Sequence, residues 1–298
     1  TQSRSSAASD VYKRQESNLE IDGGRGVTLE FWLNKEDFNS SNESRRQVIF
    51  DVWNNAAWNH TSYGRFRVEL SGASTTLNPS LYVELSSGSS GFSSGRGATL
   101  GGDLTIEMSG SAFTGSWNHF ALSFINVGSN MKGKLYQNGK PVYTLTTGST
   151  IGTITGSFLG HIGSLLTTVS GAQGAKGYGK LSASLDELRF WKIKRTSEEL
   201  GQYWFTQING GTNTDWAHEY NALTKYSFTN PVDLGIYYKF NEGIINSSSV
   251  HGTDTEVLDY SGRVSNGTWT GYSVGARSTG SAIVEASAST VEFKDPIL

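Results

Sequence analysis

Hydrolysis of a glycosidic bond needs two carboxylates held at a set separation, and acids stand close together in two places. In "NLEIDGG" (18–24), Glu20 and Asp22 alternate, which on a strand directs both to one face. In "LDEL" (185–188), Asp186 and Glu187 are adjacent, so on a regular strand they point to opposite faces. The second stretch thus divides its acids between two faces, and in both stretches the carboxylates read as solvated or as acceptors for turn amides. Gly91-Phe92-Ser93-Ser94-Gly95 satisfies G-x-S-x-G, but a nucleophile elbow needs a strand before it and a helix after it. This one lies in the Gly/Ser stretch "SSGSSGFSSGRG" (86–97) and reads as a loop.

Metal chemistry has little to work with. His60, His119, His161, His218 and His251 show no H-x-x-x-H or related ligand spacing. The chain has no cysteine, which removes disulfides, thiolate catalysis and cysteine-bound zinc together. Oxygen-rich stretches occur at Asp37-Asn39-Asn42 and Asn209-Asn213-Asp215. Hard cations take such ligands, but neither stretch has an EF-hand spacing, and Asp and Asn favour turns regardless of metal. Asp37, Asn39 and Asp215 are therefore calcium candidates set against an ordinary loop.

Aromatic rings offer a different chemistry, because a ring face can cover the C–H face of a pyranose. Trp53, Trp58 and Tyr63 gather around the polar loop "NNAAWNHTSYGR" (54–65). They are the candidate ligand-binding residues. The alternative is packing, with Trp53 in the core and Trp58 over a sheet edge.

The elements that must position these residues are strands. Among 298 residues, Gly is high at 36, Pro low at 4, and aromatics make up 12%, a balance suited to many short strands joined by small-residue turns. In "VTLEFWL" (27–33), Val27, Leu29, Phe31 and Leu33 fall on one face and Thr28, Glu30 and Trp32 on the other. Similar runs are "QVIFDVW" (47–53), "RFRVEL" (65–70), "SLYVEL" (80–85), "LTIEM" (104–108), "WNHFALSFI" (117–125), "SFLGHIG" (157–163) and "ASLDELRFWKI" (183–193). In "GKLYQNGKPVYTLTTG" (133–148), Asn138-Gly139 predicts a tight hairpin, since both central residues must take positive φ. About ten strands without intervening helical periods imply an antiparallel sandwich or barrel. Two helices are predicted. One, at 197–204, follows the capping box Thr196-Ser197-Glu198-Glu199; the other, at 214–226, carries Trp216, Tyr220 and Leu223 on one face.

A net charge of −3 gives no basic footprint for nucleic acid. No apolar run approaches the 18 or so residues that span a bilayer, and the N-terminus lacks the apolar core of a signal peptide. Neither nucleic-acid binding nor membrane insertion is expected. Residues 1–15, containing "SSAASDVYKRQ", read as a non-native or disordered leader outside the fold.

"VTLEFWLN" (27–34), "SWNHFALSF" (116–124), "GKLYQNGKPV" (133–142), "FLGHIG" (158–163) and "LDELRFWKIKRTSEEL" (185–200), in this order and spacing, resemble the laminin G-like branch of the concanavalin A-like jelly rolls. The resemblance spans about 20–204. It implies an all-β, antiparallel two-sheet jelly-roll sandwich with one or two short helices and a C-terminal extension. In relatives that hydrolyse glucans, acids occupy alternate positions of one strand; here Gly24 stands where the third acid would be needed, so no enzyme is expected. Relatives of the laminin G-like kind often bind calcium, which makes calcium the one cofactor the resemblance allows.

"LGIYYKFNEG" (234–243) and "VLDYSGRVSNGTWTG" (257–271) resemble the segment that introduces the next jelly roll in tandem arrays. The segment either opens a further module or pairs with the first. The resulting division is a leader at 1–15, a jelly roll at 16–205, and a helical linker with a partial second module at 206–298. The wording "DYSGRVSNGTW" also resembles virion structural proteins of marine bacteriophages. The implied function is a non-catalytic structural or adhesion module of a virion-surface or fibre-like protein. Its expected partners are further copies of itself or other virion or fibre subunits, with host surface glycans as candidate ligands, and its location is extracellular or on the virion. The alternative is a secreted or cell-surface bacterial carbohydrate-binding module, monomeric with an exposed aromatic cleft.

Overall fold

A computed structural model of the chain describes residues 18–35, 46–57, 60–71, 80–91, 104–107, 116–145, 149–154, 156–166, 180–207, 233–240, 256–261, 265–268 and 282. Two antiparallel sheets face each other across one core. The first comprises β2 (Val27–Asn34), β8 (Asn118–Val127), β9 (Asn130–Gln137), β10 (Lys140–Leu145), β13 (Ser184–Trp191) and β14 (Leu234–Tyr238), in the spatial order β10-β9-β8-β2-β13-β14. The second runs β12 (Leu159–Ile162), β3 (Gln47–Trp53), β4 (Gly64–Ser71), β5 (Ser80–Ser87), and β5 also pairs with β6 (Ser90–Gly91) and β7 (Leu104–Glu107). Two short pairs complete the set, β1 (Ile21–Asp22) with β11 (Thr153–Ile154) and β15 (Glu256–Val257) with β16 (Gly267–Thr268).

Period-2 alternation builds the core. Leu29, Phe31, Phe120, Leu122, Leu188 and Phe190 from the first sheet meet Phe50, Val52, Phe66, Val68, Leu81 and Val83 from the second in one buried cluster. Each such side chain contributes about 1.5–3 kcal/mol of burial, and the rings of Phe50, Phe66 and Phe190 contact one another. The opposite face of the first sheet is buried too: Thr28, Glu30 and Trp32 have no more than 1% of their surface exposed. A helix, α1 (Ser197–Tyr203), and the residues after it cover this face; Leu200 joins Ala121 and Tyr136, and Trp204 stacks on Trp32 at 5.4 Å. The expected capping box starts the helix, with Glu199 N donating to Thr196 Oγ1 at 3.2 Å and Thr196 N to the Glu199 carboxylate at 2.5 Å. The second predicted helix, at 214–226, lies outside the described residues.

The Asn138-Gly139 hairpin forms as expected, with φ of 48° and 74°. Asn138 also acts through its side chain, accepting from His119 N at 2.8 Å and donating to Asn118 Oδ1 at 2.9 Å. Gly139 lies beneath Trp204, so close that a Cβ there would be 2.3 Å from the indole Cδ1. The hairpin thus locks one end of the first sheet to the turn that follows α1.

One expectation is corrected. Asp186 and Glu187 do not face opposite ways, because β13 is not regular there: Glu187 takes φ of 52°, and the register against β2 shifts between Asp186 and Arg189. This β-bulge inserts one residue. Asp186 stands opposite Trp32, Arg189 stands opposite Glu30, and the Glu187 carboxylate accepts from Arg189 Nη2 at 2.9 Å. Both acids therefore lie with the helix-covered face, buried to 6% and 1% exposure.

Residues 234–238, open above to two arrangements, pair with β13 as the sixth strand of the first sheet. Their outer edge is closed by Asp259, whose carboxylate accepts from Tyr237 N (3.0 Å), Ser261 N (2.9 Å), Ser261 Oγ (2.8 Å) and Ser265 N (3.0 Å). Tyr260 N then donates to Tyr237 O at 2.8 Å. Asp259, Tyr260, Ser261 and Ser265 therefore cap this edge.

Candidate functional site

Charged and aromatic residues concentrate on the outer face of the second sheet. Register sets the rows: Leu159, Trp53, Arg65 and Ser86 stand in line across β12, β3, β4 and β5, and His161, Asp51, Arg67 and Glu84 form the next line. Glu69 and Tyr82 belong to a third. All point away from the core because Phe50, Val52, Phe66 and Val68 occupy the alternate positions.

The polar groups form a ladder. Arg65 grips Asp51 with two parallel bonds, Nε to Oδ1 at 2.7 Å and Nη2 to Oδ2 at 2.6 Å, the bidentate geometry that makes Arg–carboxylate pairs strong. Burial works against the charge on Arg65, but the Asp51 carboxylate overrides it and raises the guanidinium pKa above its ordinary value. Arg67 bridges two acids, Glu84 at 2.9 Å and Glu69 at 3.1 Å. Glu84 also accepts from Tyr63 OH and Ser86 Oγ, each at 3.1 Å, and Arg46 lies 3.7 Å above the Tyr82 ring. Leu166 N donates to Asp51 Oδ2 at 2.9 Å, tying the chain after β12 to this face.

The ladder is buried, and the accessible part is its rim. Trp53 is half-buried, with its indole N–H fixed on Ala56 O at 2.9 Å and the Arg65 guanidinium 6.0 Å from the ring centre. Leu159, opposite it, is 48% exposed, and His161 is exposed beside it. Asn54 shapes the neighbouring loop: its side chain donates to Ser62 O at 2.6 Å and accepts from Gly64 N at 3.0 Å. His60 is exposed; its Nδ1 accepts from Ser62 N at 3.2 Å and lies 2.6 Å from Ser62 Oγ.

The sequence-derived candidates fall as follows. Trp53 sits on the rim. Tyr63 is buried at 8% exposure, and burial with the nearby Glu84 charge raises its hydroxyl pKa, so it holds Glu84 in place and presents no ring to solvent. Trp58 lies outside the described residues, as do Asp37, Asn39, Asn42, Asn209, Asn213 and Asp215. Among the described residues there is no group of three or more His, Asp or Glu side chains placed to hold a metal ion, and no helix is long and apolar enough to cross a membrane. Asp22 organises a turn, accepting from Gly24 N (2.7 Å), Arg25 N (3.1 Å) and Thr153 Oγ1 (2.6 Å), and the Thr153 bond leads in lowering its pKa.

A second polar cluster underlies α1. Glu30 is fully buried, a cost offset by Arg195 at 3.0 Å, His119 at 3.4 Å and Arg189 at 3.7 Å, which bring its pKa down to about 2. Burial lowers the pKa of His119. The alternation of Arg65, Arg67 and Glu69 in "RFRVEL" and of Tyr82 and Glu84 in "LYVEL" signals a charged strand face. Which strands are neighbours, and hence which charges meet, is a matter of topology that the alternation does not carry.

A family model for the concanavalin A-like lectin/glucanases superfamily matches residues 8–201. No curated protein matches the chain. Similar solved structures include a Bacteroides ovatus ATCC 8483 protein provisionally assigned to carbohydrate binding, with 17% identity over 82% of this chain and 51% of that one, TM-score 0.45. The chain thus spans about half the length of that protein. A native heptameric SAP-like pentraxin from Limulus polyphemus has 16% identity over 63% of this chain and 74% of that one, TM-score 0.41. The CBM40 of a Ruminococcus gnavus IT-sialidase bound to α2,3-sialyllactose has 15% identity over 60% and 83%, TM-score 0.37.

Proposed function

We propose, from the premise that the chain belongs to the concanavalin A-like lectin/glucanase superfamily, that it is a non-catalytic glycan-binding module. In this reading it works at the rim of the second sheet, as part of an extracellular or virion-surface, fibre-like protein. The observation that carries the reading is Trp53: a half-buried indole with its polar atom already bonded, flanked by exposed Leu159 and His161 and backed by a fixed Arg–Asp pair. A ring so held loses little freedom on stacking against a sugar, and loops at the end of a rigid sandwich are where binding groups are placed. Asp51, Glu69 and Glu84 are each engaged by an arginine, whereas a retaining or inverting pair needs one carboxylate free to attack or to activate water. The virion-surface setting rests on the likeness of "DYSGRVSNGTW" to marine phage structural proteins.

The test is a glycan array on the full chain, followed by titration of the best ligand against Trp53→Ala and Trp58→Ala. Truncating a stacking aromatic costs about 2 kcal/mol, or about 30-fold in affinity. Unchanged affinity in both variants would remove this site from consideration.

A further inference from the structure

Asn-Gly occurs at 138, 209 and 266. The dipeptide is reactive because glycine lacks the Cβ that hinders approach of its nitrogen to the preceding side-chain carbonyl. Asn209 lies outside the described residues. We propose that Asn266 is a self-modification site, where the chain converts this asparagine to aspartate and isoaspartate through a cyclic imide, with water as the only co-reactant. The inference is independent of the glycan reading.

The two described Asn-Gly pairs stand in opposite circumstances. At the hairpin both ends of the Asn138 carboxamide are taken: Oδ1 accepts from His119 N at 2.8 Å and Nδ2 donates to Asn118 Oδ1 at 2.9 Å. Gly139 is buried beneath Trp204. The clamp leaves that carboxamide no freedom to turn toward the Gly139 nitrogen. Asn266, by contrast, is exposed, and Gly267 is half-buried. Its Oδ1 accepts from Asp259 N at 3.0 Å, while its Nδ2 has no partner among the described residues.

That single bond suits the chemistry. Gly267 N gives up its proton to solvent and attacks Asn266 Cγ, forming the N–Cγ bond as the carbonyl electron pair moves to Oδ1. Asp259 N–H donates to the oxygen on which this negative charge develops. The tetrahedral intermediate collapses by breaking the Cγ–Nδ2 bond, and Nδ2, open to solvent, takes up protons and leaves as ammonia. Water then adds to one carbonyl of the imide and breaks its bond to nitrogen. Opening at the backbone carbonyl gives isoaspartate, whose main chain runs through Cβ and Cγ; opening at Cγ gives aspartate.

A longer main chain is felt here. Ser265, just before, is anchored through N to Asp259 Oδ2 at 3.0 Å, through O by Tyr238 OH at 2.5 Å, and through Oγ by Asn18 Nδ2. Gly267, just after, stands opposite Val257 in the β15–β16 pair. Isoaspartate inserts a methylene between these anchors, so both cannot stay in register. Its formation loosens the cap on the β14 edge.

The test ages the unaltered full chain in mildly alkaline buffer made with heavy-oxygen water, then digests it at acid pH and maps the peptides by mass spectrometry. A donor to a developing oxyanion is worth about 10²–10³-fold in a closed site. With Asp259 N open to water and the Asn138 carboxamide clamped, conversion is expected to be at least about tenfold faster at Asn266 than at Asn138. Aspartate and isoaspartate are both expected, each carrying heavy oxygen. Conversion no faster at Asn266 than at Asn138, conversion at neither, or aspartate as the sole product overturns the proposal. Gly267→Ala keeps the fold, since a Cβ there meets Val257 Cβ at 3.6 Å and the Tyr238 hydroxyl at 3.7 Å, both ordinary contacts, yet it shields the attacking nitrogen. This variant should convert at least about tenfold more slowly, and an unchanged rate refutes attack by the Gly267 nitrogen. In the isoaspartate fraction, amide exchange at Tyr237, whose N donates to Asp259, should accelerate; unchanged exchange refutes the loosening of the cap.

Discussion

Replacing Gly139 by Ala should destabilise the protein by two separable effects. The residue has φ of 74°, and holding a side chain in that region costs about 1 kcal/mol relative to Gly. The added Cβ would also meet Trp204 at 2.3 Å from Cδ1 and 2.6 Å from Nε1, inside any tolerable contact, so the indole must move. Trp204 stacks on Trp32 at 5.4 Å and meets Phe205 edge-on at 5.5 Å; such pairs contribute about 0.5–1.5 kcal/mol each beyond their burial. The sum is about 2–4 kcal/mol. Gly128 supplies the control, with φ of 62° and nothing within 4 Å of its Cβ position, so Gly128→Ala should cost only the backbone share of about 1 kcal/mol. Urea unfolding of the two variants, followed by tryptophan fluorescence, measures the difference. Equal losses would show that Trp204 does not rest on Gly139 and would refute the account of how the hairpin fixes the end of α1.

Three further outcomes are expected. Arg65→Met leaves Asp51 charged and buried, costing about 3–5 kcal/mol, whereas Arg65→Met with Asp51→Leu recovers most of it; urea midpoints of the single and double variants decide, and no recovery counts against the pairing. Burial, with the Glu187 charge nearby, raises the Asp186 pKa from 3.8 to about 7. The folded state then binds the extra proton between those values, so this group's contribution falls as pH rises from about 4 to 7, while His119, held below 6.5, contributes in the opposite sense. Asp186→Asn should therefore gain stability relative to the parent as pH rises through that window, and parallel urea-stability curves would contradict the assignment. Asp259→Ala removes the acceptor of four bonds, at about 1–3 kcal/mol; amide exchange at Tyr237 should accelerate ahead of Phe120 in the central strand β8, and equal acceleration would argue against a local cap.

Much of this architecture was legible where the signal is local. The hairpin follows from Asn138-Gly139, the start of α1 from Thr196 and Glu199, and the inner faces from alternation in "VTLEFWL" and "RFRVEL". What escaped depends on contacts distant in sequence. Glu30 and Trp32 look like solvent-facing residues until α1 covers them. Glu187 looks like a regular strand residue until the register against β2 slips by one. Of the candidate site, Trp53 was visible as an aromatic beside a polar loop, but its support by Arg65 and Asp51 required the order of strands.

The neighbours of β2 carry a consequence for the order of events at the ribosome. Of the strands in the first sheet this one is the earliest in sequence, yet it pairs on one side with β8 and on the other with β13. Some 150 residues separate Asn34 from Ser184, which at about 5–20 residues per second is roughly 8–30 s of synthesis. Throughout that interval Phe31, Trp32 and Leu33 have no β13 to lie beside. A nascent chain of this protein is therefore at its most adhesive well before it is complete, and slowing translation between β8 and β13 should lengthen its dependence on chaperones.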